Sequence, residues 1–178
     1  MKKLSLLSII VVSLFSSCKK VLDAYFDPIE TPISFPLGIP EITDSTTEVM
    51  LSNNALYLNL DSIIKTGTKR VFDINTIQSV TIKDIALTLT NPDSANNLAN
   101  FDTVRMALNT SVNTTPVTIG TVAIPATYTP AINIPVSKDV DLRNYLSDTT
   151  VVFTLYGKVR HATTRALAAK VDIILRSE

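Results

Sequence analysis

The chain has no tryptophan, one cysteine, one histidine and four glycines among its 178 residues. Each scarcity closes off a class of chemistry. One histidine, His161, with no second histidine beside it, cannot assemble the common serine and cysteine triads. Zinc sites draw several ligands from histidine, cysteine and carboxylates, and a lone loop histidine between Arg160 and Arg165 is expected to be solvated. Four unclustered glycines form no phosphate-cradling loop. Basic and acidic residues number 16 each, so no basic stripe exists to attract nucleic acid. A single cysteine allows no disulfide within the chain. No cofactor and no metal are expected, and the fold must be held by its core.

What is present begins with MKKLSLLSIIVVSLFSSC, residues 1–18. Lys2 and Lys3 form a positive n-region. Leu4 to Phe15 is an unbroken run of apolar residues and serines, and the small Ser16 and Ser17 precede Cys18. This is the grammar of a secretory signal peptide. The run is too short for a membrane span, which needs about 20 apolar residues. A buried N-terminal helix would not carry flanking lysines at the extreme terminus.

The ending Leu14-Phe15-Ser16-Ser17-Cys18 resembles a bacterial lipobox, with Phe15 where that family usually has leucine. The resemblance implies that the Cys18 sulfur receives a diacylglycerol, that residues 1–17 are removed, and that the new amino group is acylated. Two or three acyl chains anchor stably where one would be marginal. Lys19 stands where an aspartate would resemble an inner-membrane retention signal, so the outer membrane is expected. The acidic run that surface-exported lipoproteins of the Bacteroidota often carry is absent from Lys19 to Asp23, which favours the periplasmic face over the cell surface.

Residues 18–27 then read as the lipidated cysteine and a tether, and 28–178 as one domain. Without residues 1–17 and their two lysines the chain carries a net charge of about −2. A domain of this size buries roughly 70% of its unfolded surface.

The most patterned stretch is PIETPISFPLGIP. Pro28, Pro32, Pro36 and Pro40 recur every four residues, while Ile29, Ile33, Phe35, Leu37 and Ile39 occupy odd positions. In a strand the odd set makes one buried face. Prolines lack a backbone N–H, so even-numbered prolines strip donors from one edge only. The pattern reads as an edge strand protected against further pairing. A polyproline ligand is the rival, but a solvated ligand needs no apolar odd face.

Residues 41–55 read as a loop or weak strand, and Leu56, Leu58 and Leu60, alternating with polar neighbours, as a short strand. Lys65 to Arg70 reads as a turn, and Asn75 to Val80 as one helical turn. Thr81 to Thr90 is a strong strand with Ile85, Leu87 and Leu89 inward. A polar loop, 93–100, follows it. Strands are expected through Val104, Met106 and Leu108, through Val117 to Ile124, and through Ile132, Ile134 and Val136, the last near an edge because of Pro135. Asp139 is expected to cap a short helix over Val140 to Leu146. Thr149 to Arg160 and Arg165 to Arg176 look like a closing hairpin. The whole predicts an all-β fold, an antiparallel β-sandwich of about seven strands with one short helix. A barrel is the alternative, which the proline-marked edges oppose.

Asp93 and Asp102 flank the 94–100 loop and could touch calcium, though the spacing of a known calcium loop is absent. A glycosidase would need two carboxylates across a cleft. Tyr25, Tyr57, Tyr128, Tyr145 and Tyr156 could stack on sugars, but scattered tyrosines are ordinarily sheet and rim residues.

Five triplets begin Asp-Ser or Asp-Thr: Asp44-Ser45-Thr46, Asp61-Ser62-Ile63, Asp93-Ser94-Ala95, Asp102-Thr103-Val104 and Asp148-Thr149-Thr150. They resemble the acceptor of Bacteroidota O-glycosylation, which implies Ser45, Ser62, Ser94, Thr103 and Thr149 as acceptors. Such pairs also occur ordinarily in turns. With the lipobox, the layout resembles the small β-sandwich lipoproteins of the Bacteroidota. The resemblance implies membrane attachment through Cys18 and a non-catalytic binding or structural role. An envelope protein is the expected partner, with a glycan as the alternative.

Overall fold

A computed structural model describes residues 28–43, 47–67, 73–137, 140–146 and 150–178. Eight strands form: β1 (Ile29–Ile39), β2 (Glu48–Tyr57), β3 (Val80–Leu89), β4 (Phe101–Thr110), β5 (Val117–Ala123), β6 (Ala131–Asn133), β7 (Thr150–Val159) and β8 (Leu167–Ser177). Two short helices accompany them, α1 (Leu60–Gly67) and α2 (Arg143–Leu146). The strands make two four-stranded antiparallel sheets, ordered β1-β8-β3-β6 and β2-β7-β4-β5. Four of the pairs, β1–β8, β2–β7, β3–β6 and β4–β5, are those of one long hairpin folded between β4 and β5 and then rolled. That is the topology of a jelly roll.

The core follows from period-two alternation. Odd residues of β1 from Thr31 to Ile39 are buried and even ones exposed. In β8 the inward set is Leu167, Ala169, Val171, Ile173 and Leu175, and in β7 it includes Val151, Phe153 and Leu155. Phe35 and Phe153 meet across the two sheets with ring centroids 5.2 Å apart.

The two sides of the sandwich are finished differently. β1 is the edge of its sheet, as its prolines predict, and it pairs with β8 along its whole length, which removes the polyproline reading. On its open side the Pro36 carbonyl accepts from Asn54 Nδ2 of β2 at 2.8 Å. The N–H and C=O of one strand residue point the same way, so the even positions face the open side and the missing proline donors fall there. On the opposite side Gly120 of β5 bridges Val136, and the Ser137 N–H donates to the Ile119 carbonyl at 3.0 Å. A Cβ on Gly120 would lie 2.7 Å from the Pro135 carbonyl oxygen. One side is stitched shut and the other is open and blunted.

Three expectations are corrected. The strands β7 and β8 are not a hairpin: β7 pairs with β2 and β4, β8 with β1 and β3. Their connection crosses the roughly 10 Å between sheets. Of the two readings of 41–55 the strand stands, since the stretch holds most of the ten-residue β2. And the alternation at Leu56, Leu58 and Leu60 passes into a helix, because the Asn59 side chain accepts from the Ser62 N–H at 2.9 Å and caps it. Leu60 and Ile64, four apart, are the buried pair of α1, and Lys65 and Asp61 pair at 2.6 Å on its surface. Residues 74–76 form a turn rather than a helical one. The predicted cap Asp139 lies outside the described residues; Asp141 Oδ1 accepts from the Arg143 N–H at 3.0 Å at the start of α2.

The connections sort to two ends. The β1–β2, β3–β4, β5–β6 and β7–β8 loops gather at one end, the rim. The start of β1, the β2–β3, β4–β5 and β6–β7 connections and Glu178 gather at the other, the base.

Candidate functional site: the loop rim

The rim is built from the polar loop after β3. Asp93 Oδ1 accepts from the backbone N–H groups of Ala95 and Asn96 at 2.9 and 2.8 Å, the turn expected of an Asp in this position. Its Oδ2 receives Arg165 Nη2 at 2.7 Å. The Arg165 guanidinium, with help from Asn96 and the Ala95 N–H, holds the Asp93 carboxyl at about 2.

Three buried asparagines carry the loop inward. Asn97 Oδ1 accepts from the Ala99 N–H at 2.9 Å, capping a single 3-10 turn over Leu98–Asn100, and also takes the Thr129 N–H of the β5–β6 loop at 3.1 Å. Asn100 Nδ2 donates to the Ala95 carbonyl at 3.1 Å and to the Ala162 carbonyl of the β7–β8 loop at 3.0 Å. Asn96 Oδ1 accepts from the Thr164 N–H at 2.8 Å. Arg160 closes the network: its Nε donates to Asp102 Oδ1 at 2.7 Å and its Nη2 to the Ile124 carbonyl at 2.9 Å. The β1–β2 loop joins through Ile42, whose N–H donates to Thr163 Oγ1 at 2.9 Å while its carbonyl accepts from the Thr163 N–H. All four loops are thus tied by side chains that answer one another's buried polar groups.

This geometry leaves little chemistry among the described residues. Asp93 and Asp102, the pair considered for calcium, each face an arginine, and no group of three histidine, cysteine or carboxylate side chains is placed to hold a metal. His161 is exposed, and its backbone N–H donates to the Asn100 carbonyl. Among the described residues, the outward surface of the rim includes Glu41, Ser94, Pro125, Tyr128, His161 and Ala162. Its described residues are held in place by this network, and among them no nucleophile is poised beside a base.

The remaining predicted residues are dispersed. Ser94 is exposed on the rim, Ser62 is exposed on α1 at the base, and Thr103 is half-buried in β4 between β5 and β7. Cys18, Ser45 and Thr149 lie outside the described residues, as does Tyr25. The tyrosines do not gather: Tyr128 is on the rim, Tyr57 and Tyr145 are at the base, and Tyr156 lies on the outer face of its sheet with the Arg105 guanidinium 4.1 Å above its ring. No shared sugar platform forms among them. The network asparagines were legible only as loop polarity; the closely spaced Asn96, Asn97 and Asn100 were the available signal of a self-satisfied loop.

No family model matches the chain, and no curated protein matches it. Solved structures resemble it weakly. A candidate secreted protein from Parabacteroides distasonis has a TM-score of 0.46 at 10% identity, covering 81% of this chain and 48% of its own. The chain therefore spans about half the length of that protein. The empty capsid of Triatoma virus has a TM-score of 0.38 at 12% identity, over 83% and 87%. The capsid of Helicobacter pylori bacteriophage KHP30 has a TM-score of 0.31 at 12% identity, over 83% and 93%. Similarity at this level fixes neither ancestry nor function.

Proposed function

We propose that this chain is a lipid-anchored cell-envelope protein whose role is binding or structural rather than catalytic, and that its rim engages an envelope protein. The observation that carries the reading is the rim itself. Three loops are locked together by Asn96, Asn97, Asn100 and Arg160, and the β1–β2 loop joins them through Ile42 and Thr163; among the described residues they present no nucleophile beside a base. A pre-ordered surface loses little entropy on association. The lipobox-like ending at Cys18 supports anchoring, on the outer membrane and facing the periplasm. Ser62 and Ser94, both exposed, are the described acceptors best suited to O-glycosylation; Thr103 in mid-strand is less so.

The test is a pull-down of the tagged, full-length protein from solubilised membranes, beside the double variant Tyr128→Asp/His161→Glu. A stoichiometric protein recovered with wild type and lost with the variant, at unchanged Tm, supports the reading. Recovery of no stoichiometric protein, or recovery indifferent to the two substitutions, overturns it.

A further inference from the structure

The base differs from the rim in what it turns outward. Tyr57, the last residue of β2, pairs with Thr150, and Val112 follows two residues after Thr110, which pairs with Val151. Only β7 lies between the two strands. Tyr57 thus ends its strand at the level of the β4–β5 turn that carries Val112, two strand spacings, about 10 Å, across the sheet. They are 73% and 78% exposed, against 57% for Met50 and 56% for Tyr128.

Among the described residues, charged groups nearby are engaged locally. Asp61 takes Lys65 Nζ and the Ile74 N–H. Asp73 Oδ1 takes the N–H groups of Asn75 and Thr76. Asp141 Oδ1 takes those of Val80 and Arg143, and Arg176 pairs with Glu178. The exposed large apolar side chains among the described residues at this end are Val112, aliphatic, and Tyr57, aromatic with a polar tip. A tyrosine of that kind suits the layer between water and hydrocarbon.

Nine residues, 19–27, separate Cys18 from Pro28, and at no more than about 3.5 Å each they reach roughly 30 Å. Pro28 leads into β1 at the base. The rim lies beyond the eleven residues of β1, roughly 36 Å further at strand rise. We propose that the base rests on the lipid surface, with Tyr57 and Val112 in the interfacial layer, so that the rim points away from the membrane. This rests on the lipid-anchor reading above.

The experiment uses the lipidated protein in vesicles of phosphatidylethanolamine and phosphatidylglycerol. Tyr57→Cys, Val112→Cys and, on the rim, Ser94→Cys are labelled one at a time with an environment-sensitive fluorophore, each variant checked for wild-type Tm. Co-flotation with vesicles is scored first. Blue-shifted emission and several-fold stronger quenching by a shallow nitroxide lipid at positions 57 and 112 than at 94 is the expected result. Equal quenching at all three positions in protein that floats overturns the proposal and leaves the anchor standing. Shielding at 57 and 112 that appears only in native membranes means that a protein covers the base, and also overturns it. Failure to float overturns the anchor and this proposal together.

Discussion

Asn100 shows how much of the rim hangs on single side chains. Its Nδ2 answers two carbonyls, of Ala95 and Ala162, and its Oδ1 takes the Asn97 N–H at 2.9 Å. Asn100→Ala strands those groups, of which the Asn97 N–H is buried, and a buried unsatisfied group costs about 1–3 kcal/mol. Urea unfolding is expected to show a loss in that range; a midpoint equal to wild type would mean that water replaces the amide. Asp93 gives a pH signature. Its folded value of about 2 lies below the ordinary value near 3.9, so its stabilisation is complete above about pH 4 and is lost as pH falls towards 2. The Tm gap between wild type and Asp93→Asn should therefore narrow over that window, and a gap constant with pH would remove Arg165 pairing as its cause. At this scale only the polarity of the loop was legible beforehand. Hydrogen-bond partners 62 to 72 residues away, such as Ala162 for Asn100 and Arg165 for Asp93, leave no local trace.

Elements carry the next layer. β1 was legible because its two periodicities agree, apolar every second residue and proline every fourth. Replacing Pro32 and Pro36 together by threonine restores two donors on the open edge. The expected outcome is concentration-dependent self-association by sedimentation, with the monomer still folded; a strictly monomeric variant would show that Asn54 alone blunts the edge. Gly120 guards the other side. Gly120→Ala pushes a methyl against the Pro135 carbonyl, 2.7 Å away, and Ile134 Cγ2, 2.8 Å away. Overpacking of this sort costs about 1–3 kcal/mol, to be read as a lowered Tm. The sequence missed α1 because LYLNL alternates like a strand, and only the Asn59 cap and the Leu60–Ile64 spacing, local signals both, mark the switch.

At the scale of the whole molecule the base and the rim give the protein a direction. Cys18→Ala is expected to leave the protein in the soluble fraction with a lower mass difference from the bare polypeptide; retention in membranes with unchanged mass would refute acylation. Protease treatment of intact against lysed cells then reads which side the rim faces: protection until lysis fits the periplasmic expectation, and cleavage of intact cells moves the search for partners outside.

The sequence by itself determined which residues face inward, that β1 lies at an edge, and that the class is an antiparallel sandwich. Those properties are local: alternation and proline position act within a few residues. Tertiary structure alone decided which strands are neighbours. β7 and β8 have apolar faces that would suit a hairpin equally well, and alternation names a face, not a partner. Their assignment to opposite sheets emerges only when all eight strands compete for one core. The same competition brings the four rim loops together, and it places Tyr57 and Val112 at the far end.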